Sequence, residues 1–349
     1  MDDRENHTNY RLKMKNWNLF PVADYIKYTA GWNKLNNEGP KTALLDSDFV
    51  SPLLEQFATE DDCLAICGNI ENPTAMTLIT KTKLGVWETL QPSQSPFGLW
   101  LHKKEVPLEE LLQSLAKSLP FPTILLGITQ QDPDIIRRPE DSDYLTTLDY
   151  IKTARVTLKN SFDDYWSKRG KNLRQNLKRQ RNRLHRESVD VALKVITKPD
   201  EVKDAIRKYG KLESAGWKND LGTAIHIDNA QGKFYCKMLE KFCNKNQGFV
   251  FQYLYNNKLV ATDLCIKDST SLIILKTTYD EEIKTSSPAM LMRQDSFEYI
   301  FNNKLAERIE FYGKVMDWHT KWTDEIRVMY HINFFTLSFL RKLVSITSQ

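Results

Sequence analysis

The chain has 349 residues, of which 41% are hydrophobic and 27% charged, with a formal net charge of +4. That length exceeds the roughly 250 residues that one core usually holds, so two domains are expected, and the apolar content excludes an intrinsically disordered chain. A charge of +4 over this length does not by itself mark a nucleic-acid protein.

Five cysteines (Cys63, Cys67, Cys236, Cys243, Cys265) form no CxxC set and sit in apolar contexts, which reads as reduced, buried thiols in a cytoplasmic protein with no metal. Residues 1–16 lack the apolar run of a secretory signal. The apolar stretch 328–346 is interrupted by His331, Asn333, Arg341 and Lys342, so it reads as a terminal helix or strand packed on a core and not as a transmembrane segment.

Taken in chain order, Trp32 and Leu35, then Phe49, Leu53, Leu54 and Phe57, recur at helical spacing and predict one or two helices. Strands follow at 63–67, 74–79 and 85–90, with Asn72-Pro73 as a turn. Ser95-Pro96 then leads towards an apolar segment and a helix ending near Leu119, and 123–128 reads as a last strand. Residues 130–143, with Asp132-Pro133, Arg137-Arg138-Pro139 and clustered acids, disfavour regular structure and form the expected linker. Residues 148–158 read as a strand crossing into the second half.

In that half, Trp166, Leu173, Leu177 and Leu184 make the stripe of one long amphipathic helix over 161–186, and 191–196 alternates as a strand. Two helices are expected next, one from Pro199 to Gly216 and one after Asp228. Strands 249–255, 259–266 and 272–278, a Ser287-Pro288 helix start, a helix to about Phe301 and a strand at 308–312 then repeat the element order of residues 62–128. The fold class is therefore α/β with mixed α+β sheets, built as a duplicated unit in two domains, 1–145 and 146–349.

A strand, turn, helix passage is a natural anion site, because free N–H groups and the helix dipole converge there. The passage Lys284-Thr285-Ser286-Ser287-Pro288-Ala289 places Pro288 in the first helical turn and Ser286 or Ser287 at the N-cap. The matching positions of the first copy, Pro92, Ser95 and Phe97, have no basic residue nearby.

Lys284-x-x-Ser287-x-Ala289 resembles the coenzyme A pyrophosphate loop of the GNAT acyltransferases. Several stretches resemble the CelD/BcsL type, double-GNAT proteins related to the Fem aminoacyl transferases: Tyr165-Trp166, Gly170-Lys171-Asn172-Leu173-Arg174, Glu213-Ser214-Ala215-Gly216-Trp217, Lys276-Thr277-Thr278-Tyr279-Asp280 and Glu310-Phe311-Tyr312-Gly313. The resemblance implies two tandem GNAT-like domains, the first degenerate and the second catalytic. It also implies acyl transfer, acetyl by default, from acyl-coenzyme A as co-substrate to an amine or hydroxyl. The implied acceptor is a small-molecule or lipid-linked sugar of cell-envelope or exopolysaccharide synthesis, and the implied place is the cytoplasm or the inner-membrane periphery. Pantetheine would lie beside Lys276, Thr277, Thr278 and Tyr279, in a gap between that strand and 309–312, and Lys284, Ser286, Ser287 and Ala289 would hold the pyrophosphate.

Direct transfer needs a base for the acceptor and an acid for the thiolate. Asp263, Glu213, Glu310, Asp317 and His319 are candidate bases, with Glu310 or Asp317 preferred. Tyr279 and Tyr312 are candidate acids, with Tyr312 preferred. Glu213, Trp217, Asp263, Trp318 and Lys321 are candidate acceptor contacts. Each has a plain structural alternative: Lys276 could pair with Asp263, Asp317 with Lys321 four residues on, and Trp217 could plug a core.

Lys168, Arg169, Lys171, Arg174, Lys178, Arg179, Arg181, Arg183 and Arg186 precede any acid until Glu187, so an anionic partner is expected at 168–186. Coenzyme A phosphates, an acidic polysaccharide precursor, lipid headgroups and RNA all fit that description. RNA stays in view through the Fem relatives' use of aminoacyl-tRNA, although the run has no interleaved aromatics. The alternatives to acyl-coenzyme A chemistry are a Fem-like aminoacyl transferase and a non-catalytic polyanion-binding scaffold.

Overall fold

The structure, a computed structural model, describes residues 16–214 and 225–341. Two compact units emerge: Met1–Ile151 with Val328–Gln349, and Lys152–Arg327.

In the first unit β1 (Trp17–Pro21) is followed by helices α1 (Thr29–Glu38) and α2 (Ser47–Phe57), where the buried Trp32 indole donates to the Leu45 carbonyl at 2.7 Å. Strands β2 (Cys63–Asn69), β3 (Asn72–Lys83) and β4 (Val86–Thr89) continue β1 antiparallel, and β5 (Trp100–His102) also pairs with β3. Helix α3 (Leu108–Ser118) crosses to β6 (Leu125–Gln131), which lies parallel to β4. Its stripe of Leu111, Leu112 and Leu115 packs with Trp17, Trp100 and Ile128. The segment after Ser95-Pro96 therefore forms a short strand before the helix, with the Ser95 hydroxyl turned back onto the Phe97 carbonyl.

β7 (Leu145–Thr157) leads into the second unit. This division places the end of the chain, Val328–Gln349, with the first unit. There β13 (Ile326–Phe335) lies antiparallel beside β6, with Ile332 opposite Ile128 and Phe335 opposite Leu125. That pairing joins residues far apart in sequence and leaves no local signal.

The second unit opens with α4 (Phe162–Ser167) and α5 (Lys171–Arg186), two helices where the apolar stripe predicted one. The break lies at Lys168–Gly170, where Gly170 turns extended (ψ 135°) and the Arg169 guanidinium is held by the Trp322 carbonyl at 2.7 Å and the Tyr165 ring at 4.8 Å. β8 (Val191–Ile196), α6 (Pro199–Ser214), α7 (Ala230–Asn244), β9 (Gly248–Tyr255), β10 (Lys258–Lys267) and β11 (Ser271–Tyr279) follow. The β9–β10 turn is Asn256-Asn257 with φ of 46° and 63°, the left-handed pair that a two-residue hairpin needs. Last come α8 (Pro288–Asn302), β12 (Arg308–Glu310) and α9 (Asp317–Thr320).

The strand order in this unit is β8-β9-β10-β11-β12-β7, antiparallel except for β11 beside β12. One face carries a core in which Leu173, Leu177 and Leu184 of α5 meet Leu291, Met292 and Phe297 of α8. Helix α6 packs on β10 and β11 through a separate set of buried side chains, Val202, Ile206 and Tyr209.

Candidate active site

Two backbone features of β11 build the site. Its parallel pairing with β12 runs only from Ser271 opposite Arg308 to Ile273 opposite Glu310, while β11 itself continues to Tyr279. Beyond Ile273 the ladder with β12 ends, and among the described strands residues 274–279 pair only with β10. The register with β10 also shifts here: Cys265 faces Ile274, but Leu264 faces Lys276, so Leu275 is an extra, bulged residue. An extra residue exchanges the two faces of everything after it. Without it Lys276 would stand opposite Asp263, the pair that the sequence suggested. With it Thr277 does, and the expected Lys276–Asp263 pair does not form.

Asp263 instead binds Arg293 of α8, a residue that the sequence reading missed. The guanidinium reaches the two carboxylate oxygens at 2.6 and 3.3 Å and the Thr277 hydroxyl at 3.0 Å, and that hydroxyl donates to Asp263 at 2.6 Å. Burial pushes the Asp263 carboxyl above its usual range, opposed by the guanidinium and the hydroxyl. The rings of Phe297, Phe311 and Trp318 surround Arg293 at 5.6 to 5.8 Å. His319 stacks on Trp318 and meets Phe311 edge-on. Its Nδ1 accepts the Met316 N–H at 2.9 Å, and burial lowers its pKa to about 4, so it is neutral with the proton on Nε2. Asp263, Thr277, Trp318 and His319 thus meet around Arg293, where the sheet opens.

Lys276 and Thr278 point to the other face. The Lys276 ammonium lies 6.0 Å from the Tyr235 ring centre, beneath α7. The buried Glu213 of α6 accepts the Ile225 N–H at 2.7 Å, with the Tyr209 hydroxyl at 3.5 Å. Gln252 and Thr262, paired across β9 and β10 on this face, are buried, and Gln252 Nε2 and Thr262 Oγ1 have no hydrogen-bond partner among the described residues. Trp217 lies outside the described residues.

A third cluster surrounds the start of α8. A cavity of about 480 Å³ is lined by Lys168, Arg169, Asn172 and Asn176 at the α5 N-terminus, by Ser287 at the α8 N-cap, and by Lys321, with one acid, Asp324. Two helix N-termini and three cations border it, an arrangement that favours an anion. Of the expected loop residues, Ser287 donates its N–H to Gln180 of α5 at 2.8 Å and the Ser286 hydroxyl meets Tyr255 at 3.1 Å. Ala289 sits in the first turn of α8, and Lys284 is exposed and does not line the cavity.

The remaining candidates stand apart. Glu310 is buried and bound by Arg327 at 2.8 Å and Arg308 at 3.5 Å. Tyr312 adopts φ 47° just after β12, with the Arg327 guanidinium 5.2 Å above its ring. Asp317 is exposed at the first position of α9, and Tyr279 is 43% exposed at the end of the open edge.

A family model described as an acetyltransferase (GNAT) domain matches residues 171–320. No curated protein matches the sequence. Among solved structures, a conserved protein of unknown function from Bacteroides thetaiotaomicron superposes with TM-score 0.56 and 11% identity, covering 92% of this chain and 100% of that one. The C-terminal domain of a putative lysylphosphatidylglycerol synthetase from Agrobacterium fabrum gives 0.57 and 11%, over 92% and 95% of the two chains. FemX gives 0.53 and 10%, over 94% and 99%. At such identities the likeness is one of fold. Residues 171–320 thus match a GNAT-type acetyltransferase domain, and the fold of the chain is similar to that of FemX.

Proposed function

We propose that the protein is an acyl-coenzyme A dependent acyltransferase, with acetyl as the transferred group. The observation that carries this reading is the open edge of β11, which begins at a bulge, together with the cationic cavity at the start of α8. Pantetheine would hydrogen-bond along residues 274–279, as a strand-like ligand does at any free sheet edge, and the diphosphate would rest between the two helix N-termini. The Ser287 N–H, engaged by Gln180, must be released for it.

In the reaction the acceptor's nitrogen or oxygen attacks the thioester carbonyl, the C–S bond breaks and the thiolate leaves. The acceptor's proton passes to a carboxylate. Glu310 and Asp263 are each ion-paired with a guanidinium, so their carboxylate oxygens are already engaged. We assign the base role to Glu213, on the polar face with Lys276, Gln252 and Thr262, and leave Tyr312 as the proton donor to the thiolate. That polar face suits a hydroxyl- or amine-bearing acceptor, such as a sugar precursor of the cell envelope or an exopolysaccharide, in the manner of the CelD/BcsL resemblance.

Titration calorimetry with acetyl-coenzyme A tests the donor. Lys321→Glu, inside the cavity, should weaken binding about tenfold or more, and Lys284→Glu, outside it, by less than about threefold. Equal effects would refute the placement. The Gln180 contact to Ser287 favours one second reading, a Fem-like aminoacyl-tRNA donor that does not use this amide. Binding of charged tRNA without any acyl-coenzyme A binding would establish it.

A further inference from the structure

We propose that the outward face of α5 docks on an anionic phospholipid surface, with a lipid phosphodiester seated in the groove between α5 and α8. At 3.6 residues per turn, Leu173, Leu177 and Leu184 turn one side of α5 into the core, and Lys171, Lys178, Arg179 and Arg186 cluster around the opposite direction. All four are exposed, and among the described residues none has a carboxylate within ion-pair distance. The cations on the flanks differ: Arg181 is paired with Asp295 and Arg183 with Glu187. What remains outward is a straight cationic row along a helix of about 24 Å, with Gln175 and Asn182 between the charges and no acid.

Beside this row runs a groove of about 390 Å³, lined by Arg174, Gln175, Lys178, Arg181, Asn182 and Gln294. Its donors suit a phosphodiester. It offers no face on which a base could stack, because its one aromatic, Trp166, lies against Phe162 at 6.0 Å and 10° and against Trp322 at 5.8 Å and 29°. A plane of headgroups can meet every charge of a straight row at once, whereas single-stranded RNA would lack the stacking that supplies much of its affinity. The outward face has no apolar side chain to insert, so the attraction is electrostatic and sensitive to salt. The N-terminal end of the same helix lines the cationic cavity, so a docked protein holds that cavity near the headgroups. The inference stands without the acyltransferase reading.

The test is co-sedimentation of the full chain with vesicles of phosphatidylcholine alone or mixed with phosphatidylglycerol. Binding is expected only to the mixed vesicles, at about 0.1 M salt, and is expected to vanish by about 0.5 M. K171Q/K178Q/R179Q/R186Q should lower the partition coefficient by at least about tenfold. Exchanging lysine and arginine at the same positions should preserve it, as should the control K81Q/K83Q/K104Q/K117Q, four exposed lysines of the first unit. Gln294→Glu, on the other wall of the groove and outside the outward row, should weaken it through the groove. No binding to the mixed vesicles, or equal binding by the quadruple variant and the control, overturns the proposal. So does displacement by inorganic phosphate, which would make the groove a free-anion site. Duplex RNA stripping the protein from vesicles would reassign the face to nucleic acid.

Discussion

Arg293→Met tests the polar centre on which the opening of the sheet rests. The Arg293 and Asp263 side chains are 3% and 1% exposed, so neither finds water when the other is removed. Breaking such a pair from one side costs about 3–5 kcal/mol, because a buried charge is left without compensation. The loss of three ring contacts to the guanidinium adds to this. For a unit of this size each kcal/mol shifts the melting temperature by about 2–4 °C, so a fall of roughly 6–20 °C is expected. Arg293→Met/Asp263→Val removes both charges and should recover at least about 2 kcal/mol of that loss, since a matched apolar pair is tolerated where a lone ion is not. Asp263 left alone in the single variant can also escape by taking up a proton. A raised carboxyl pKa means that the folded state binds more protons than the unfolded one above the ordinary value of 3.8, so the deficit of Arg293→Met should shrink as pH falls from neutral. Urea and thermal unfolding at two pH values measure all of this. A cost below about 1 kcal/mol, or losses of the two single variants that simply add, would refute the argument.

His319 bears on acid stability, and its sign is opposite. Its pKa falls from 6.5 to about 4 on burial, so between those values the unfolded chain binds the extra proton and stability drops as pH drops, by up to ~3 kcal/mol. Above pH 6.5 it contributes nothing to the pH dependence, and His319→Gln should be flatter than the parent between pH 6.5 and 4 in unfolding experiments. A parallel decline in both proteins would contradict the burial argument. Glu213→Gln should lower the turnover of thiol release by about 100-fold or more while leaving acetyl-coenzyme A affinity unchanged, if this carboxylate takes the acceptor's proton. Unaltered turnover would remove it from that role.

The repeated element order was legible because it is written in local signals: alternation in β9 and β10, the Asn256-Asn257 turn, Pro288 in the first turn of α8. Three features were not. The pairing of β13 with β6 depends on residues some two hundred positions apart, and the halt at Lys168–Gly170 depends on the Trp322 carbonyl and the Tyr165 ring that hold Arg169. The bulge at Leu275 interrupts a run of apolar residues, where a change of phase leaves no mark in the sequence. Arg293 did carry a signal. It sits four and seven positions before Phe297 and Ile300, on the apolar stripe of α8, and a cation in that position demands a buried partner. Asp263 was its only remaining requirement, and the sequence reading gave that carboxylate to Lys276.

The phase of β11 is what divides Lys276-Thr277-Thr278-Tyr279 into two half-sites, and a pair of isosteric substitutions checks it directly. Thr277 shares a face with Asp263 and Arg293 and makes hydrogen bonds to both. Thr278 stands opposite Thr262 on the other face, buried, with no such charged neighbour bonded to its hydroxyl among the described residues. Valine keeps the shape and β-branching of threonine, so the strand is not perturbed and the difference lies in the hydroxyl. Thr277→Val should therefore cost about 1.5–3 kcal/mol, the range for hydrogen bonds to ionised groups, whereas Thr278→Val should stay within about 1 kcal/mol of the parent. If the strand ran without its extra residue, Lys276 and Thr278 would face Asp263 and α8, and the order of the two costs would reverse. The same reversal would turn Lys276 into the Arg293 pocket, place two cations against one carboxylate and leave Glu213 facing a hydroxyl. A single bulged residue thus separates the charged anchor that fixes the open edge from the polar face on which an acceptor would be received.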